Sequence, residues 1–89
     1  MYMKIKEGFV LREIAGETVV LPTGDELNLN IMITLNGTGR FLWERLTDGA
    51  EKEELVKALL SEYEVDEATA ERSVDSFVLK LKENDFLEN

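Results

Sequence analysis

Neither cysteine nor histidine occurs in this chain, and proline occurs only once. Their absence excludes disulfides, thiolate nucleophiles, imidazole bases and the Cys/His ligand sets of zinc, iron–sulfur and haem sites. The chain also lacks an apolar run long enough for a signal peptide or a membrane span. We therefore expect a soluble, cytoplasmic protein with no cofactor or metal of its own, and we do not expect an enzyme.

Basic residues are few, with 10 against 19 acidic ones and a net charge of −9. This charge repels phosphate backbones and anionic lipids, so neither nucleic acid nor a membrane is an expected partner. Carboxylates are numerous but dispersed, and no pair of them is placed for acid–base catalysis. With 89 residues and no repeat or linker, residues 1–89 are expected to form one domain.

Three β-strands are indicated in the first part of the chain. The β-rich runs 9–14 and 18–21 flank Ala15-Gly16-Glu17, which predicts a hairpin, and the turn residues 22–25 end its second strand. Residues 27–35 then alternate strictly, with a leucine or isoleucine at every second position. One face of this third strand belongs to the core. The other face faces either solvent or a ligand, and it carries Asn28, Asn30, Met32 and Thr34.

Three helices are predicted after the strands. The first is capped by Asn36 and runs to about residue 46, and the second covers about residues 52–63. The third follows Asp66 and ends near Glu83, after which Asn84 is expected to take a left-handed conformation. The core positions are Leu55, Val56, Leu59, Leu60 and Tyr63 in the second helix, Ala70, Val74, Phe77, Val78 and Leu81 in the third, and Phe86 and Leu87 after it.

The order of these elements predicts an α+β fold, a small winged helix-turn-helix-like domain with a three-stranded antiparallel sheet followed by three helices. Such domains often bind DNA through the recognition helix. Here residues 66–85 carry six acidic and three basic side chains, so the basic footprint of a DNA-binding helix is lacking. Leu79 lies outside the apolar stripe of the third helix, either as an ordinary exposed leucine or as part of a binding surface.

Several short motifs resemble the PqqD family, the pyrroloquinoline-quinone synthesis protein D and its relatives, which are also called precursor-peptide (RiPP) recognition elements. The most specific are Leu35-Asn36-x-Thr38-Gly39 running into Leu42-Trp43, followed by Asp48-Gly49. The resemblance covers about residues 6–88. Two positions depart from the family pattern: Glu51 stands where a Thr or Ser often caps the second helix, and Asn84-Asp85 replaces a Gly.

This resemblance implies a non-catalytic peptide chaperone. Such proteins bind the leader segment of a ribosomally synthesised precursor peptide and present it to a modifying enzyme, frequently a radical S-adenosylmethionine protein. The leader is expected to add as a strand to the third strand, in a groove against the third helix. On that basis the candidate peptide-binding residues are Asn28, Asn30, Ile31, Met32, Ile33 and Thr34 of the strand, and Arg72, Asp75, Ser76, Leu79 and Lys80 of the helix.

Two other functions remain open at this stage. The first is a winged-helix DNA-binding regulator, which would show a steep salt-dependent affinity for duplex DNA. The second is a generic protein–protein adaptor or a homodimer that pairs its own edge strand.

Overall fold

The computed structural model describes residues 2–22 and 33–88. Residues 27–32 of the predicted third strand therefore lie outside the described residues. In chain order the elements are β1 (Tyr2–Met3), β2 (Phe9–Ile14), β3 (Glu17–Pro22), β4 (Ile33–Leu35), α1 (Gly37–Asp48), β5 (Ala50–Glu51), α2 (Lys52–Glu62) and α3 (Glu67–Glu83).

Strands β2, β3 and β4 form an antiparallel sheet in that order. The predicted hairpin is confirmed, since β2 pairs with β3 from Phe9↔Pro22 to Ile14↔Glu17. The two turn residues both have positive φ, 53° at Ala15 and 83° at Gly16. Turns of this kind match the twist of the flanking strands. With the three helices that follow, the sheet confirms the α+β class and is compatible with a winged helix-turn-helix-like description.

A second, very small sheet joins β1 to β5, with Met3 opposite Ala50. Beside it, Ile5 forms an isolated antiparallel bridge with Leu87, and the Lys6 N–H donates to the Phe86 carbonyl over 2.8 Å. The Ile5–Leu87 bridge and the Lys6–Phe86 hydrogen bond tie the start of the described chain to its end. We call segments 2–6 and 86–88 together the terminal clasp. Two-residue strands carry no periodic signal, so the sequence did not predict it.

The core is filled by all three helices, by β3 and β4, and by the terminal clasp. Phe86 is fully buried, and its ring meets Phe9 and Trp43 edge to face at centroid distances of 4.7 and 5.5 Å. The predicted return of Phe86 and Leu87 to the core is therefore confirmed. The other buried apolar residues of this cluster are Met3, Ile5, Val20, Leu35, Leu42, Trp43, Leu46, Ala50, Leu55, Val56, Leu59, Ala70, Val74, Phe77 and Leu81.

Two residues predicted for the core of α2 lie outside it. Leu60 is 38% exposed and Tyr63 is 37% exposed. The face that packs inward is centred on Leu55 and Leu59, one turn apart, which leaves Leu60 at its margin. Tyr63 follows the last helical residue, and its ring rests edge to face on Phe41 at 5.6 Å.

The predicted helix caps at Asn36 and Asp66 are confirmed. The Asn36 Oδ1 accepts from the Gly39 N–H and the Asp66 Oδ1 from the Thr69 N–H, each over 2.7 Å. At α2 the departure from the family pattern is accommodated, because the N–H of Glu51 donates to the Glu54 carboxylate over 3.0 Å. This is the N3 position from which a capping-box glutamate reaches back.

The end of α3 corrects one prediction. Asn84 keeps a near-helical φ of −98°, and the positive φ of 59° belongs to Asp85. The Asn84 side-chain amide donates to the Lys80 carbonyl over 2.8 Å, which favours the near-helical backbone at this residue. Asp85 then donates to the Lys82 carbonyl and Phe86 to the Leu81 carbonyl, the two bonds of a Schellman motif. The chain reversal thus falls one residue later than the sequence suggested.

Replacement of Asp66 by alanine should lower the melting temperature by a few degrees, because the first turn of α3 would lose its cap. The Thr69 hydroxyl, and then the Thr69 backbone N–H, lower the pKa of Asp66 below its usual value of 3.8. Because the pKa of Asp66 is lower in the folded state than in the unfolded state, the charged carboxylate stabilises the fold at pH values above the unfolded-state pKa. This stabilisation is lost as the pH falls through the folded-state pKa. Thermal melts of both proteins should therefore differ most near neutral pH and converge in strong acid. A constant difference across this range would contradict the cap.

Within residues 2–22 and 33–88, no helix is long and apolar enough to cross a membrane.

Candidate functional site

A groove separates β4 and the start of α1 from α3. Its volume of about 930 Å³ is near the upper end of the range for ligand pockets, about 300–1,000 Å³. The hairpin end closes it on one side. Its lining consists of Gly16, Glu17 and Thr18 from the hairpin, Thr34 and Leu35 from β4, Asn36, Gly37, Thr38, Gly39 and Leu42 around α1, and Thr69, Arg72, Ser73, Ser76, Phe77 and Lys80 from α3.

The pairing of the hairpin determines which backbone groups of β3 face β4. Ile14 and Glu17 flank the two-residue turn, so they form a hydrogen-bonded pair. In an antiparallel ladder such pairs alternate with non-bonded ones. Thr18 and Val20 consequently direct their N–H and C=O groups away from β2 and toward β4.

The same alternation determines which groups of β4 are open. Leu35 lies opposite Thr18 and Ile33 opposite Val20, so Leu35 and Ile33 bond to β3. The N–H and C=O of Thr34, between them, point to the other side of β4. In the described part of the chain no strand pairs with that side. β4 is therefore an edge strand whose open backbone groups at Thr34 border the groove.

The floor of the groove is apolar and closely packed, with Leu35, Leu42 and Phe77 all buried. Gly39 permits this packing, because a Cβ there would lie 3.2 Å from the Asn36 Oδ1 and 3.3 Å from the Phe77 ring. An alanine would push against both neighbours. The floor can therefore receive apolar side chains of a ligand, while the N-terminal turn of α1 stays close to α3.

The α3 wall is polar and carries two cations. Thr69, Arg72, Ser73, Ser76 and Lys80 recur at spacings of three and four, so they form one face of the helix. The Arg72 guanidinium donates to the Thr69 hydroxyl over 3.3 Å. Among the described residues, neither Arg72 nor Lys80 lies within ion-pair distance of a carboxylate.

The structure brings together four of the candidate residues: Thr34, Arg72, Ser76 and Lys80 all line the groove. Ile33 is half-buried and packs against the core. Asn28, Asn30, Ile31 and Met32 lie outside the described residues.

Asp75 and Leu79 are placed outside the lining of the groove. Asp75 accepts from the Lys52 ammonium over 2.8 Å, and this hydrogen bond raises the pKa of Lys52 above its usual value. Both side chains of the pair border a smaller cavity of about 330 Å³ beside β5. Leu79 is 57% exposed, in agreement with its predicted position off the apolar stripe.

Sequence reasoning missed several lining residues. Thr69 and Ser73 lie three residues before and one residue after Arg72, so helical spacing contains enough information to find them. The hairpin residues 16–18 could not be found in this way. They reach the groove only because β3 pairs with β4 in a register that places Thr18 opposite Leu35.

No group of three or more Asp or Glu side chains comes together as a metal site in the part of the chain that the structure describes. The charged lining of the groove is limited to Glu17, Arg72 and Lys80 among those residues. The arrangement is that of a binding site, with an apolar floor, an open strand edge and a polar helical wall.

A three-stranded antiparallel sheet, whose strand β4 has an open edge among the described residues, lies beside three helices and defines a small winged-helix-like domain with a groove between β4 and α3. Residues 17–87 match the family model of coenzyme PQQ synthesis protein D (PqqD). The chain belongs to the PqqD family, which confirms the resemblance inferred from the sequence motifs. No match was found among curated proteins.

Two similar solved structures extend over nearly the whole chain. TbiB1 in complex with the TbiA(beta) leader peptide is 32% identical, with 98% of this chain and 96% of that chain covered and a TM-score of 0.77. Lasso peptide synthetase B1 complexed with the leader peptide is 27% identical, with 98% of each chain covered and a TM-score of 0.74. Both relatives were solved with a leader peptide.

Proposed function

We propose that this chain is a non-catalytic recognition domain that binds the leader segment of a ribosomally synthesised precursor peptide. The observation that carries the proposal is the open edge of β4 at Thr34, which faces α3 across the groove. Support comes from the two relatives solved with leader peptides, which share the fold over nearly the full length of the chain.

The leader adds to the sheet as a fourth strand, antiparallel to β4. Thr34 then donates its N–H and accepts with its C=O, so the main chain of the leader is held whatever its sequence. Alternate side chains of the leader point toward the floor at Leu35, Leu42 and Phe77 or away from it. The apolar floor selects among leaders, because burial of an apolar side chain there stabilises the complex.

The bound leader is presented to a modifying enzyme. The family resemblance favours a radical S-adenosylmethionine protein as that enzyme. The second solved relative is a lasso peptide synthetase component, which favours a lasso peptide pathway as the alternative. In either pathway the domain supplies recognition, and the partner supplies the chemistry.

Titration of isotope-labelled protein with the leader of the precursor encoded beside its gene tests the binding role. We expect amide shifts at 33–35 and along the groove side of 69–80, with a Kd of about 1 μM. Ser76→Glu should weaken binding at least about tenfold, because it places a charge in the groove beside the open strand edge. Leu79→Glu adds the same charge three residues further along α3, outside the groove, and should leave the affinity unchanged.

A loss of affinity in Leu79→Glu as large as that in Ser76→Glu would place Leu79 in the site, as the sequence alone suggested. The absence of any shift at high leader excess, also with the modifying enzyme added, would contradict the binding role. Light scattering tests for self-pairing of β4. If two copies pair through β4, the molar mass should rise with protein concentration in samples that contain no leader.

A further inference from the structure

The charge of the groove lining within residues 2–22 and 33–88 differs in sign from that of the whole protein. The chain carries a net charge of −9. Among the described residues, the charged side chains that line the groove are one glutamate, Glu17, and two cations, Arg72 and Lys80. Both cations are exposed, both project from α3, and Glu17 comes from the hairpin end. The α3 wall is therefore a place where an acidic ligand can approach this acidic protein.

The spacing of the two cations corresponds to a particular spacing along an extended peptide. Arg72 and Lys80 are eight residues apart, which separates their Cα atoms by about 12 Å along the axis of α3. An extended strand rises about 3.3 Å per residue, so residues i and i+4 are separated by about 13 Å and lie on the same face. Residues i and i+2 reach about half that distance, while i+3 and i+5 face the opposite side.

We infer that the leader recognised by this chain carries two acidic residues, separated by three others, on the face that it turns toward α3. This inference rests on the proposed function, because it assumes an extended peptide between β4 and α3. Arg72 binds one carboxylate and Lys80 the other, in addition to the main-chain bonds at Thr34. The planar guanidinium of Arg72 can donate two parallel hydrogen bonds to a carboxylate, whereas the ammonium of Lys80 acts as a point charge.

A random 15-residue peptide library displayed on its encoding nucleic acid and selected on the full chain tests the inference with no need for the natural leader. The wild type should enrich peptides with an Asp or Glu at both i and i+4. Arg72→Gln should remove the preference at one of these positions and Lys80→Gln at the other, each with about a fivefold loss of affinity for an enriched peptide. Arg72→Lys should retain most of the preference, because it keeps the charge.

Lys82→Gln is the matched control. Lys82 is an exposed cation of the same helix, and its removal changes the net charge equally, but it borders the smaller cavity instead of the groove. It should alter neither the enriched pattern nor the affinity. Two results would overturn the inference and leave the proposed function intact. The first is enrichment of peptides that shift the amides of 33–35 and 69–80 but lack the paired acids. The second is an effect of Lys82→Gln as large as that of Arg72→Gln or Lys80→Gln. Failure of the library to bind together with failure of the leader titration would overturn both.

Discussion

Thr34→Pro should strongly weaken recognition of the leader while the domain stays folded. Proline has no N–H, so the added strand would lose the donor that β4 presents at its open edge. A peptide carbonyl left without that donor in the groove weakens binding by about 1–3 kcal/mol, or roughly fivefold to 150-fold. Because the N–H of Thr34 points away from β3, the β3–β4 bonds at Ile33 and Leu35 remain. Calorimetric titration with the leader, beside a thermal melt, measures both effects.

Glu13→Pro provides the control at the opposite edge of the sheet. By the same alternation of pairs, the N–H of Glu13 points away from β3, and the substitution removes an outward donor from β2. It also breaks the exposed ion pair with Arg40, which contributes little to stability. Leader affinity should remain that of the wild type. Equal weakening by the two prolines would show that the leader does not add to β4.

Phe86→Ala should cause a large loss of stability. The ring is fully buried between Phe9 and Trp43, so its removal leaves a cavity as well as lost apolar burial. Such truncations lower the free energy of unfolding by about 3–5 kcal/mol. In a domain of this size that corresponds to a fall in melting temperature of more than about 10 °C.

Tyr63→Ala is the matched aromatic truncation at a position that is 37% exposed and also has an edge-to-face neighbour. It should cost clearly less than Phe86→Ala in a urea or thermal unfolding curve. A Phe86→Ala protein that melts within a few degrees of the wild type would show that the residues after α3 contribute little to the core.

Much of the fold could be predicted because local patterns and tertiary packing agree. The caps at Asn36 and Asp66 and the hairpin around Gly16 each depend on residues that are close in sequence, and the structure confirms them. The errors concern positions where packing decides. Leu60 has helical spacing but lies beside the buried face, and Asn84 bonds back to Lys80 instead of reversing the chain.

The site could be predicted only where it follows helical or strand periodicity. The sequence selected Arg72, Ser76 and Lys80 because they lie off the apolar stripe of α3, and the structure places them in the lining of the groove. Their role in peptide binding stays a prediction. The same argument also selected Asp75 and Leu79, since periodicity shows that a residue faces outward but not in which direction. That distinction depends on where β4 lies relative to α3, and this position is fixed by contacts that are distant in sequence.

The terminal clasp has a consequence for biosynthesis of the protein itself. Phe86 and Leu87 complete a core to which Met3 and Ile5 also belong, so the most N-terminal and most C-terminal described segments pack in one cluster. A ribosome synthesises the chain from the N-terminus. The apolar surface that Phe86 and Leu87 cover in the folded domain therefore stays exposed until these two residues have left the exit tunnel. The domain can therefore reach its final packing only after residues 86–87, which follow α3, have left the tunnel.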